Sequence, residues 1–76
     1  MEFQKKNLEM SQMILKILIT RGDIVSEADA LQKLKDRDWI TRHGYGHVAH
    51  VLASSIGVDA CRLIFEKKLS DNSMGD

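Results

Sequence analysis

The sequence predicts an all-α protein that folds as a compact bundle of four short helices. Apolar side chains recur with helical spacing in several separate segments. The 76-residue chain contains no proline, so no position forbids a helix interior. A composition of 43% hydrophobic and 29% charged residues is typical of a globular domain rather than a disordered chain.

The first helix is expected at about 5–20, and Gly22 can close it in the left-handed conformation. Its apolar residues share one helical face: Met10, Met13, Ile14, Ile17 and Leu18. A second apolar stripe, formed by Leu8, Leu15 and Ile19, lies well away from that face. Because three other short helices can hardly surround both stripes, the second stripe is predicted to carry self-association into a homodimer. The alternative is that the other helices enclose the first one completely.

The second helix is expected at about 27–37. Ser26 stands at its N-cap with Asp29 three residues later, the arrangement that satisfies the free amides of a helix start. Its apolar stripe is narrow, which is typical of a helix that covers a core from one side.

The second half of the chain predicts two further helices, at about 47–56 and 59–69. Gly57 separates them as a helix stop, and Asp59 caps the last one. Residues 38–46 are expected to form a connection, since two glycines flank Tyr45. A short β-hairpin near 39–51 is the minor alternative. The predicted domain is 1–69, followed by a disordered polar tail at 70–76.

The chain length limits the stability of this core. A domain of this size buries only about 60% of the surface that its unfolded chain exposes. The single cysteine, Cys61, cannot form an internal disulfide, and no secretory signal is visible, so a cytoplasmic location is expected. The longest apolar stretch, 13–19, is interrupted by Lys16 and is far shorter than the about 20 residues of a membrane span.

Charge is balanced overall but unevenly distributed. Eleven Lys and Arg oppose eleven Asp and Glu, which weakens any function that depends on bulk positive charge, such as non-specific binding to nucleic acid or membrane. Cations nevertheless gather in the middle of the chain, at Lys33, Lys35, Arg37 and Arg42. A modest contact with an acidic partner or DNA is therefore expected near Arg37 and Arg42.

No catalytic or cofactor signature is present, so the chain is predicted not to be an enzyme and to hold no cofactor. His43, His47 and His50 are spaced at i, i+4 and i+7, and Cys61 could complete a zinc site. The glycines around Tyr45 interrupt this spacing, and surface imidazoles are usually solvated, so we expect no metal. A pH response of the histidine group stays open.

Surplus apolar helix surface without catalytic residues favours a small regulatory or inhibitory protein that acts by protein–protein contact as a homodimer. The partner-facing region is expected where aromatic and basic residues gather outside regular structure. The predicted partner-binding residues are Arg37, Trp39, Arg42, Tyr45, His47 and His50.

A helix-turn-helix DNA-binding regulator is the alternative function. Ala53 and Gly57 are placed as the small contact residue and the turn glycine of that motif. Its DNA-binding residues would be Arg62, Lys67 and Lys68. The presumed recognition face also carries Asp59 and several apolar residues, however, and these read neither bases nor phosphates well. Nucleic-acid binding therefore ranks second.

Overall fold

The computed structural model describes the backbone of residues 2–75 and the side chains of residues 5–66. Most of this described backbone is helical and none of it forms a strand, which confirms the all-α class. The α-helices are α1 (Glu2–Thr20), α2 (Glu27–Leu34), α3 (Arg37–Arg42), α4 (Ala49–Leu52) and α5 (Ser55–Gly75), with a 3-10 helix at Gly46–Val48. The arrangement of four helices expected from the sequence is therefore replaced by five helices of very unequal length.

Helix α1 forms where it was predicted, but it buries a different face. Its buried residues are Ser11, Ile14, Leu15 and Leu18. Leu8 and Ile19 are half-buried against the same core, whereas Met13 and Ile17 are 58% and 38% exposed. The side of α1 that carries Ile14 and Leu15 faces inward, because α1 packs mainly on α5. The predicted outer stripe thus belongs to the core, and part of the predicted inner face is on the surface.

Gly22 closes α1 with a φ of +84°, as the sequence predicts. The amide of Asp23 then donates to the Leu18 carbonyl at 2.9 Å, which reverses the chain toward α2. Ser26 caps α2 by accepting from the Asp29 amide at 3.1 Å. The end of α1 and the start of α2 therefore depend on local hydrogen bonds that can be predicted from the sequence.

The segment after α2 is helical where a connection was expected. Helix α2 ends at Leu34 rather than near 37, because Asp36 begins a new helix by accepting from the Trp39 amide at 3.1 Å. Helix α3 buries Ile40 and then stops before Gly44, whose φ is +89°. The suggested hairpin near 39–51 is not formed, because α3, the 3-10 helix and α4 occupy that part of the described backbone.

Helices α4 and α5 depart from the predicted 47–56 and 59–69. Helix α4 ends at Leu52, and α5 begins at Ser55 and continues through Gly57 and Asp59. The Ser54 hydroxyl accepts from the Ile56 amide at 3.2 Å and so performs the cap expected from Asp59. Gly57 is buried inside α5, where a Cβ atom would overlap the Leu52 carbonyl oxygen. It is therefore a contact glycine rather than a helix stop.

The α5 backbone extends to Gly75, beyond the predicted end near 69. No proline interrupts the chain there, so the backbone can continue. The side chains of the predicted tail at 70–76 lie outside the described residues, and its disorder stays a prediction.

Within the described part of the chain, no single helix is long and apolar enough to cross a membrane. Gly46–Leu52 and Ser55–Glu66 together reach the length and apolar composition of a span, but the two segments are bent by 80° relative to each other.

A single core joins the elements. Cys61 and Ala60 of α5 are fully buried against α1, α2 and the short helices. These small side chains let α5 approach its neighbours closely, and the larger aliphatic residues fill the remaining volume. The aliphatic members are Ile14, Leu15, Leu18, Ile24, Leu34, Ile40, Val48 and Leu52.

We expect Gly57→Ala to lower the free energy of unfolding by more than about 2 kcal/mol, because the added Cβ collides with backbone rather than with a movable side chain. Chemical denaturation followed by circular dichroism measures this loss. Ser55→Ala, an exposed substitution two residues earlier in α5, is the control and should change stability little. Equal stability of the two variants would contradict the close approach of α4 and α5.

Ser11 gives a second test of the core. Its side chain is fully buried, and its Oγ has no hydrogen-bond partner among the described residues. Ser11→Ala removes this unsatisfied hydroxyl and is expected to raise the free energy of unfolding by about 1 kcal/mol. A destabilised Ser11→Ala protein in the same denaturation assay would show that the hydroxyl has a partner.

Candidate functional site

A polar network fixes the α1–α2 loop against α2. The Lys33 Nζ donates to the Asp23 carbonyl at 2.6 Å and to Asp29 Oδ2 at 3.0 Å. The same carboxylate oxygen accepts from the Val25 amide at 3.0 Å. One lysine and one aspartate, four residues apart on α2, therefore hold the loop at Asp23 and at Val25.

These hydrogen bonds stabilise the charged form of Asp29. The Val25 amide, followed by the Lys33 ammonium, lowers the pKa of the Asp29 carboxyl below its usual value. Because the folded-state pKa lies below the unfolded one, the resulting stabilisation is present above the usual pKa and is lost as the pH falls through the lowered value. The contribution of Asp29 to fastening the loop is therefore present at neutral pH and is lost in acid.

Trp39 lies between the loop network and the end of α3. Its ring is contacted by Lys33, whose Nζ lies 5.2 Å from the ring centroid. On the same indole, the His43 ring packs with a centroid separation of 4.0 Å. Cation–π and ring-packing contacts thus restrain a half-buried tryptophan from α2 and from α3.

His43 contacts both Trp39 and the α1–α2 loop. Its Nδ1 lies 2.9 Å from the Trp39 carbonyl oxygen, and because that oxygen can only accept, Nδ1 carries a proton. Its Nε2 lies 3.7 Å from Asp23 Oδ2, which also lies 3.9 Å from the Nε of Arg21. His43 therefore faces the α1–α2 loop, and it is committed to structural contacts rather than to a site with His47 and His50.

The predicted partner-binding residues divide into an anchored and an exposed group. Trp39 and Tyr45 are half-buried and pack against the core. The exposed group is Arg37, Arg42, His47 and His50. Arg37 also borders an open polar concavity of about 500 Å³, formed with Gln32, Lys35, Asp36 and Asp38 at the α2–α3 turn. The segment therefore presents charged and imidazole groups outward from a base held by aromatic residues.

Sequence reasoning missed the anchoring roles of Asp23, Asp29 and His43. The four-residue spacing of Asp29 and Lys33 was a usable signal for their ion pair. The stacking of His43 on Trp39 has the same four-residue spacing, but it becomes apparent only once the segment is known to be helical.

The three predicted self-association residues do not form an outer surface. Leu15 has no exposed area, and Leu8 and Ile19 pack partly on the core. The large apolar side chains that are exposed among the described residues are Met13, Ile17, Val25 and Leu63. Helix α1 therefore still offers apolar surface, but at Met13 and Ile17.

The thiol of Cys61 is a core group. Burial, followed by the negative charge of Glu27, raises its pKa to about 11. A protonated thiol at neutral pH is a poor nucleophile and a poor metal ligand. Among the described residues, no group of three or more His, Cys, Asp or Glu side chains is placed to hold a metal ion.

The residues of the alternative DNA-binding site lie on α5. The segments before and after the α4–α5 turn meet at 80°, somewhat less than the usual angle of a helix-turn-helix. Arg62 is exposed, but its exposed neighbours are Asp59, Leu63 and Glu66. The side chains of Lys67 and Lys68 lie outside the described residues. The described part of this face therefore carries one cation and two acids.

Lys33→Met tests the loop network, because methionine keeps an apolar stem beside Trp39 but cannot donate or carry charge. We expect the pKa of Asp29 to rise toward its usual value and to stay below it, since the Val25 amide still donates. Titration of the carboxyl ¹³C shift by NMR measures the change. Lys35→Met, which alters an exposed lysine two residues later, is the matched control. The same Asp29 pKa in both variants would contradict the assigned contact.

Comparisons with known proteins were made at the levels of family, sequence and structure. Neither a family model, nor a curated protein, nor a solved structure matches this chain. The geometry of its own residues is therefore the basis for a functional assignment.

Proposed function

We propose that this protein is a small regulatory or inhibitory module that acts by binding another protein, and that it does so as a homodimer. The observation that carries the proposal is the exposed pair Arg37 and Arg42 on α3, a helix whose inner side is fastened by Trp39 and His43. Arginine, tryptophan and tyrosine are the residue types that dominate binding energy at protein interfaces.

The rigid base favours binding for an entropic reason. Trp39 is held by Lys33 and His43, and Ile40 is buried in the core. A surface that is already ordered loses little conformational freedom when a partner binds. The arginines therefore project from a preformed platform rather than from a loop that has to fold on contact.

The charge of this surface indicates an acidic partner. Between residues 35 and 50, the cations Lys35, Arg37 and Arg42 exceed the acids Asp36 and Asp38 by one. The Asp36 carboxylate is partly occupied by the Trp39 amide. His47 and His50 are exposed and add positive charge when protonated. Complementary charge of this size steers association and selects partners rather than supplying most of the affinity.

DNA binding through α5 is the second candidate, favoured by the close approach of the α4 and α5 segments at Gly57. The observation against it is the pair Asp59 and Glu66, which flank Arg62 along the exposed side of α5. Acids at these positions would repel phosphates and weaken duplex binding.

Charge reversals on the two surfaces separate the candidates. A partner retained by the tagged chain from a lysate of the source cells is purified, and its affinity is measured by calorimetry for each variant. We expect Arg37→Glu and Arg42→Glu each to weaken binding at least about tenfold, a loss of about 1.4 kcal/mol. Arg62→Glu, which reverses the same charge on α5, is expected to leave the affinity unchanged.

Duplex DNA is titrated in parallel at low salt. Binding of DNA that disappears with Arg62→Glu and persists in both α3 variants would replace the proposed function with the alternative one. A purified protein partner whose affinity is indifferent to Arg37 and Arg42 would refute the proposed surface.

A further inference from the structure

A ridge of side chains follows the exposed side of α1. Glu9, Met13, Ile17 and Arg21 are spaced four residues apart, and all four are exposed. Arg21 directly follows the last residue of α1, and its amide still donates to the Ile17 carbonyl at 3.0 Å, so it continues the helical path. Along this α1 ridge the order is acid, apolar, apolar, base.

A groove lies beside the α1 ridge. It is a concavity of about 230 Å³ with a mostly apolar wall, framed by Lys16, Ile17, Thr20 and Arg21. In knobs-into-holes packing, a depression bordered by four residues of one helix receives one side chain of a facing helix. A flexible methionine suits such a shallow apolar hole.

We propose that the α1 ridge binds the α1 ridge of a second copy of this chain, with the two helices antiparallel. Met13 of each copy then enters the groove of the other, and Glu9 of each copy lies beside Arg21 of the other. This inference rests on the homodimer of the proposed function, and it assigns that homodimer a surface.

The charge order selects the antiparallel direction. If the helices were parallel about a two-fold axis, Glu9 would face Glu9 and Arg21 would face Arg21, and like charges at both ends would oppose binding. In the antiparallel direction, each acid meets a base at both ends. Packing of ridges with four-residue spacing is also the commonest way in which helices of globular proteins cross.

The two charges cannot neutralise each other within one chain. Glu9 and Arg21 are twelve residues apart, which is about 18 Å along a helix. Arg21 has a contact of 3.9 Å from its Nε to Asp23, but its side chain is 64% exposed, and its other guanidinium nitrogens can reach a second carboxylate. An effect of Glu9 on Arg21 is therefore an effect between copies.

The interface is small, because it consists of one helix face on another. Stable complexes bury about 1,200 Å² or more in total, and an interface at or below this size is expected to be weak. We expect a dissociation constant between about 10 µM and 1 mM.

Charge reversal at the two ends of the α1 ridge tests the proposal. Sedimentation velocity is recorded from about 10 µM to 1 mM, the range of the expected affinity, for the wild type, Glu9→Arg, Arg21→Glu and the double variant. Each single variant places like charges at both ends and should associate at least about tenfold more weakly than wild type. The double variant restores opposite charges and should associate as wild type does.

An equimolar mixture of the two single variants is the sharpest arm. One copy then carries arginine at both positions and the other carries glutamate at both, so the mixture should form heterodimers although neither variant associates well alone. This rescue also shows that both variants are folded. Lys35→Glu, directly after α2 and with the same charge change as Arg21→Glu, is the control and should associate as wild type does.

Two results would overturn the proposal, and they differ in reach. A wild-type chain that stays monomeric throughout the range would remove both the α1 interface and the homodimer. Wild-type association that none of the α1 variants changes would remove the α1 interface alone and leave a homodimer formed through another surface.

Discussion

The packing of α1 on α5 is the constraint on which the rest of the structure depends. A 76-residue chain has volume for one face of a long helix in its core, and α1 fills it with Ile14, Leu15 and Leu18. Helix α5 meets that face with the small residues Ala60 and Cys61, and the short helices close the remaining sides. Once this face is buried, Met13 and Ile17 have to lie at the surface, so the geometry of the core determines which apolar residues are available for binding.

The features that local hydrogen bonding controls could be predicted from the sequence. Ser26 as a cap and Gly22 in the left-handed conformation both follow from residue type and position. The inward face of α1 could not be predicted, because two apolar stripes of similar size compete and only the packing partner decides between them. Gly57 misled for a similar reason: a glycine needed for close approach to Leu52 has the same local sequence signal as a glycine that ends a helix.

The candidate site was predicted in part. Arg37 and Arg42 lie exposed as expected, but their support comes from contacts that cross elements, such as Lys33 over Trp39. Helix α3 was not predicted because six residues are too few to show a helical repeat of apolar side chains, and because its start depends on the Asp36 cap. The charged residues therefore fall into two groups. Asp29 and Lys33 fasten the loop, whereas the arginines of α3 face solvent.

The inward face of α1 is the central claim, because the core is built on it and the proposed α1 interface assumes it. Solvent paramagnetic relaxation of methyl groups by a soluble gadolinium chelate measures this face directly, and about 10 µM of the weakly associating Arg21→Glu variant keeps the dimer a minor species. The described packing requires strong relaxation of the Met13 methyl and little relaxation of the Leu15 methyls, since these side chains are 58% and 0% exposed. Strong relaxation at Leu15 with protection at Met13 would contradict it and would return the second apolar stripe to the surface.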